Sequence, residues 1–215
     1  MKKVNYDKYR ELTGVAISTN MTGKMYGIDS LSTSVLCNPY CKARQAIKGS
    51  ICEHCFAVAT AERFTALSIN LEKNTEVLTA SVLDVIPDVD ATNRKYFRFE
   101  SFGDLNNEVQ FVNYWNIAKH NPKTKFALWT KNPAIVERAY KQYGLKRLNN
   151  LTMILSSLYI NKPDKDYTGL FDHVFTVYGK EYKNADFINC GARSCATCGR
   201  CYTRKTALHV AELLK

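Results

Sequence analysis

The chain has no run of about eighteen apolar residues, so nothing in it reads as a membrane-spanning helix. It has no Gly/Ser linker, no low-complexity tract and no internal repeat, which sets aside tethered modules and solenoids. Behind Lys2 and Lys3 there is no apolar stretch of the kind a secretory leader carries, so the expected compartment is the cytoplasm. A phosphate-binding glycine loop, a Gly-x-Ser-x-Gly elbow and a His-Glu-x-x-His helix are all missing. Their absence argues against a P-loop nucleotidase, a serine hydrolase and a zinc protease of the common types. Between Cys55 and Cys190 there is no cysteine at all.

What the chain does have is a core and eight cysteines. Hydrophobic residues make up 46% of the 215 positions and aromatic residues 12%, enough apolar surface for one domain to bury. Disulfides staple small secreted domains that lack such a core, so here the cysteines are read as metal ligands. The net charge is +10. Metal ligation would lower it, since two four-thiolate clusters would bring it to about +6. The remainder leaves weak, non-specific nucleic-acid binding open.

The cysteine-free middle alternates strands and helices. Phe56 to Leu83 is rich in Ala, Glu and Leu and free of Pro and Gly, a helical composition. Residues 95 to 100 alternate aromatic and charged, a strand pattern. Asn107 to His120 has helical apolar spacing and stops before Asn121-Pro122. Lys125 to Thr130 is a strand; Pro133 starts a helix that Gly144 ends near Tyr143. Leu151 to Leu155 and His173 to Val177 are short apolar strands, and Thr206 to Leu214 reads as a final helix. With Gly14 to Thr19 or Met25 to Leu31 as an opening strand, about five strands result. Such alternation implies crossovers and a parallel sheet, and too few strands for a closed barrel. The expected fold is α/β, a partial (open) β/α barrel over residues 1–188, followed by a cysteine-rich metal-binding segment and helix over 189–215.

Ligands in parallel α/β folds gather where strands end. The residues there are Glu100, Ser101 and Asp104; Thr130 and Lys131; Ser156 and Ser157; Tyr178 and Lys180. Ser, Thr and Asp at such places also serve as ordinary caps and turns. Glu100 is the least easily explained that way and is the leading catalytic candidate. Asp104, Thr130, Lys131 and Ser156 join it as candidate binding residues.

The C-terminal cysteines run Cys190-x4-Cys195-x2-Cys198-x2-Cys201. Each two-residue spacer turns the next sulfur toward the same centre, and Gly191 and Gly199 permit the tight backbone. A [4Fe-4S] cluster and zinc are both compatible, the cluster better, because all four sulfurs come from one short segment rather than from two hairpins. The N-terminal set is Cys37-x3-Cys41-x10-Cys52-x2-Cys55. Its end abuts a helix start, whose dipole favours a negative centre. Cys52 and Cys55 joining part of the C-terminal set in one site is also open. His54, between two cysteines, is a further ligand candidate. Phe56 and Tyr202 would shield such centres, although plain core packing explains both more simply. The C-terminal segment is poor in apolar residues, so its order is expected to come from ligation.

Several motifs fall in a familiar order: cysteines closing on Cys52-Glu53-His54-Cys55-Phe56-Ala57, an aromatic strand ending in Ser101-Phe102-Gly103-Asp104, then Trp129-Thr130-Lys131 and a cysteine-dense tail. Over about residues 20 to 203 the chain resembles the phage-encoded gene product 88 domain family and, more distantly, radical S-adenosylmethionine enzymes. The resemblance implies a partial β/α barrel, iron–sulfur ligation at Cys37, Cys41, Cys52 and Cys55, and the cytoplasm of an infected host. Radical enzymes present Cys-x3-Cys-x2-Cys, three ligands and one open iron for S-adenosylmethionine. Here both spacings occur, but ten residues separate them. Either all four cysteines ligate and no iron is open, or one is spare: Cys37 if Cys41, Cys52 and Cys55 ligate, Cys52 if Cys37, Cys41 and Cys55 do. Glu100 would stand where such enzymes bind the cofactor's amino group, although no glycine pair precedes it.

Overall fold

The computed structural model describes residues 5–204 and 208–214. Helix α1 (Asp7–Thr13) leads into two short antiparallel strands, β1 (Ser18–Thr19) and β2 (Asp29–Leu31). Helices α2 (Pro39–Gln45), α3 (Phe56–Arg63) and α4 (Thr65–Ala80) follow. Then come β3 (Tyr96–Phe99), α5 (Glu108–His120), β4 (Lys125–Thr130), α6 (Pro133–Tyr143), β5 (Leu151–Ser156) and β6 (His173–Tyr178). The one-turn helix α7 (Cys195–Cys198) and strand β7 (Leu208–Leu213) close the chain. The seven strands form one sheet in chain order, and every neighbouring pair from β2 to β7 is parallel. Among the described residues β1 and β7 are its edges, so the sheet is open.

Local chemistry explains the helices that were legible. Asn107 caps α5 by accepting from the Gln110 amide at 3.0 Å. Pro133 occupies the first turn of α6, and Gly144 ends it with φ +58°. Three expectations change. Both candidate opening strands exist, as β1 and β2, and with the final strand β7 they make seven strands rather than about five. The long helix from 56 to 83 is two helices, α3 and α4. Phe64, at φ −119° and ψ 87°, breaks it, and α4 ends at Ala80. The last segment is not a helix. From 208 it is strand β7, paired with β6 from His173↔Leu208 to Tyr178↔Leu213; residues 205–207 lie outside the described residues. Its helix formers contribute only tenths of a kcal/mol each, less than completing an edge ladder with Val210 and Ala211 buried.

Strand alternation divides the sheet into two faces. Phe97, Phe99, Phe126, Leu128 and Met153 point to one side, in a core with Leu78, Phe111, Tyr114, Ile117 and Val136 of α4, α5 and α6. Tyr96, Ala127 and Ile154 point to the other, against Ile28 and Tyr202. On that second face the cysteine-bearing segment takes the place of a helix layer: Cys195, Ala196 and Cys201 pack there. Tyr202 is buried and packs on Tyr96, the rings tilted with centroids 4.5 Å apart. The segment thus has an apolar anchor, which its composition did not suggest. Phe56, in contrast, is 68% exposed and is not core.

Candidate functional site

On this second face lies a cavity of about 700 Å³. Cys41, Cys52 and Cys55 line it from one side; Cys190, Cys195, Cys198 and Cys201 line it from the other. Cys37 is exposed and stands outside the lining. None of the eight cysteines is in a disulfide. Of the histidines, His54 reaches the cavity and His120, His173 and His209 do not.

Local structure fixes each thiol. The Asn38 side chain caps α2, accepting from the amides of Tyr40 at 2.9 Å and Cys41 at 3.3 Å, which sets Cys41 in the first turn. Cys52 sits in a turn pinned by the Ile51 amide donating to Leu158 O at 2.8 Å. Cys55 is the N-cap of α3, and its side chain makes no capping bond, so its sulfur is not spent on the helix. In the C-terminal set, the Cys195 amide donates to Lys24 O at 2.8 Å, and Lys24 Nζ donates to Cys190 Sγ at 3.3 Å and Glu212 Oε1 at 2.9 Å. Gly199 turns the chain at φ +61° against the Tyr96 hydroxyl. Burial pushes the Cys41 thiol well up, and the neighbouring Asp104 and Glu100 add to it. Cys52 is raised by burial against the opposing pull of Lys131. Burial pushes Cys201 up to about 12.

The donor chemistry suits a thiophilic metal: seven thiols face one space, and metal would replace the protons those sulfurs hold. Among the described residues no three His, Cys, Asp or Glu side chains stand close enough to share a single ion. Ligation would therefore draw the cysteine-bearing loops inward.

The strand-end residues meet at the same cavity. Glu100, Asp104, Thr130, Lys131 and Ser156 line it, with Ser101 and Ser157; Tyr178 and Lys180 do not. Glu100 is buried and sits at φ +54°, a conformation rare outside glycine. Tyr114 donates its hydroxyl to Glu100 Oε1, which also accepts from Gln110 Nε2 at 2.7 Å. The Thr33 amide reaches Oε2 at 3.3 Å, and its hydroxyl Oε1 at 3.1 Å. Burial pushes the carboxyl up to about 8, against these donors. Asp104 accepts from the Thr130 hydroxyl, from the Leu105 amide at 2.7 Å and from the Lys131 amide at 2.8 Å. Lys131 Nζ donates to Ser156 Oγ at 3.1 Å. Thr33, Gln110 and Tyr114, which hold Glu100, went unread in the sequence: a polar residue on a helix or after a strand carries no signal of its partner. Arg98 and Trp129, stacked with 4.0 Å from the guanidinium carbon to the ring centre, went unread as a pair because they lie on different strands.

Neither the comparison with curated proteins nor that with solved structures returns a match. The family model described as Gene product 88 matches residues 2–209. By that match, which spans nearly the whole sequence, the chain belongs to the phage gene product 88 family.

Proposed function

We propose that the chain is an iron–sulfur protein whose cavity is the reaction chamber of a redox or radical enzyme, and that its open sheet curls as the wall of a partial β/α barrel. One observation carries this reading: three of the four N-terminal cysteines and all four C-terminal ones face a single cavity, with Cys37 left outside. Three thiolates are what a four-iron cluster needs when one iron is to stay free for another ligand. A cluster held there would supply single electrons. The chain's own groups do the rest. Asn38 and the N-terminus of α3 set Cys41 and Cys55. Tyr114, Gln110 and Thr33 fix Glu100 beside them. Asp104 orders the Thr130–Lys131 turn at the end of β4, and Lys131 and Ser156 present a cation and a hydroxyl to the chamber. S-adenosylmethionine is the cofactor class that a three-cysteine site would admit.

The test is protein purified without air, with iron, sulfide and zinc counted beside absorbance and paramagnetic resonance spectra. Iron and sulfide in stoichiometric amounts are expected. Cys37→Ser should keep the N-terminal cluster and Cys55→Ser should lose it. Zinc without sulfide would put a metal-stabilised binding module in place of the enzyme. Equal loss in all four N-terminal serine variants would leave a fully cysteine-ligated, structural or electron-relaying centre.

A further inference from the structure

The cavity's charged groups are not balanced against one another. Its two buried acids are spoken for: both oxygens of Glu100 and both of Asp104 accept bonds from the protein. A third acid, Glu212, pairs with Lys24. Among the described residues four of the cavity's cations, Arg44, Arg98, Lys131 and Arg200, lack such a partner; Arg44 lies over the Tyr40 ring and Arg200 donates to Asn189 O. Among the described residues neither Arg98 nor Lys131 has a carboxylate within ion-pair distance. Arg98 is the sharper case. Among the described residues its buried Nε has no hydrogen-bond partner, and Nη1 reaches only the Met25 sulfur, at 3.6 Å. The comparison within this chain is Arg94, which is more deeply buried than the half-buried Arg98 and is paired with Asp29 at 3.2 Å. A buried guanidinium donor without an acceptor is costly, and proteins seldom leave one without a reason.

The surroundings say what would satisfy it. Arg98 lies over Trp129, and Trp129 meets Tyr202 edge-on at 6.3 Å between ring centres. Phe175 and Val177 line the same cavity from β6, beside Ser156 and Lys131 at the strand ends. This is an apolar and aromatic surface with two cations and a hydroxyl at its edge, in a volume suited to a small organic molecule. We propose that the cavity binds a small organic anion, its carboxylate or phosphate group held by Arg98 and Lys131 and its body laid against Trp129 and Phe175. The inference rests on reading the cavity as the reaction chamber, but not on which metal the cysteines hold.

Calorimetric titration of the purified protein tests it, with inorganic pyrophosphate for the phosphate source, citrate for the carboxylate source and ribose as the uncharged control. One of the two anions should bind at one site per chain, and ribose should not. Arg98→Met and Lys131→Met should each weaken that binding at least about tenfold, because a charge-assisted contact is lost. Lys165→Met, at an exposed position outside the cavity, should leave it unchanged. Thermal melts on each variant separate a lost site from a lost fold, and two independent positions guard against one failing to fold. Iron and sulfide counts on the same samples keep the two readings apart. Anion binding without iron would overturn the cluster and leave this site standing. Iron-replete protein that binds neither anion, or binds one equally in wild type and both variants, would overturn the site. So would an Arg98→Met that sheds iron yet binds the anion as before, since the guanidinium would then serve the cysteines alone.

Discussion

Glu100 carries a carboxyl that the fold keeps protonated beyond the ordinary range, and this has a definite sign for stability. Its folded value is pushed up to about 8 from 4.5, chiefly by burial. The folded chain thus holds a proton that the unfolded chain has released. The stabilisation is complete below about pH 4.5 and is lost as the pH rises through about 8. A tenfold difference in proton affinity is worth about 1.4 kcal/mol, so the loss should reach a few kcal/mol. Glu100→Gln keeps the shape without the charge. Urea midpoints at about pH 6 and about pH 8.5 should fall with pH in the wild type and stay level in this variant; parallel falls would refute the assignment. A second buried acid, Asp29, shares its Oδ2 between Arg94 Nε at 3.2 Å and the Tyr6 hydroxyl at 2.9 Å, with both ion-pair side chains almost wholly inaccessible. Arg94→Met strands that carboxyl and should cost about 3–5 kcal/mol in urea unfolding. A cost under about 1 kcal/mol would mean that Asp29 is held by something else.

The loop from Glu100 to Asp104 places the site, and it depends on a glycine that works differently from those at helix ends. Gly103 has φ +70°, and a Cβ there would lie 2.6 Å from Thr33 O, the backbone of the residue that holds Glu100. Gly144, ending α6, has φ +58° but open space around it. Alanine at 144 should cost about 1 kcal/mol, the conformational term alone. Alanine at 103 should cost about 2–4 kcal/mol, because the neighbouring backbone must also give way. Equal thermal shifts would show that the loop yields freely. The same contrast explains what the sequence made legible. α5 and α6 announced themselves through Asn107, Pro133 and Gly144, whose roles are local and need no knowledge of the fold. β7 did not, because its helical composition was overruled by its ladder with β6, a partner distant in the chain. The break at Phe64 likewise has no Pro or Gly to mark it. Of the site, the cysteines and strand-end residues could be read from spacing. The separation of Cys37 from Cys41 could not, since it depends on Asn38 and Pro39 starting a helix between them.

Across the whole molecule, the sheet separates two kinds of order. The face bearing α4, α5 and α6 is a continuous apolar core built around Phe97, Phe99, Phe126 and Tyr114, and no cysteine belongs to it. The opposite face is smaller: Ile28, Tyr96, Ala127, Ile154 and Tyr202, with Cys195 and Cys201 packed on them, while Cys41 and Cys55 pack on a third small cluster with Val35 and Ala57. Burial of the large core suffices for folding, whereas the cysteine-bearing segments add little apolar area of their own. Were metal held by these cysteines as proposed, its loss should therefore be felt on one face only. After anaerobic chelation the far-ultraviolet dichroism and a cooperative melt should persist. Trypsin should then cut at the exposed basic residues Lys42 on α2, Lys48 in the turn after it and Arg193 in the second cysteine-bearing segment, with α5 and α6 protected. Mass spectrometry of the fragments reads this directly. Collapse of the dichroism on chelation would show instead that the thiol face holds the helices together. A cleavage pattern the same before and after would show that the cysteines contribute no order through metal at all.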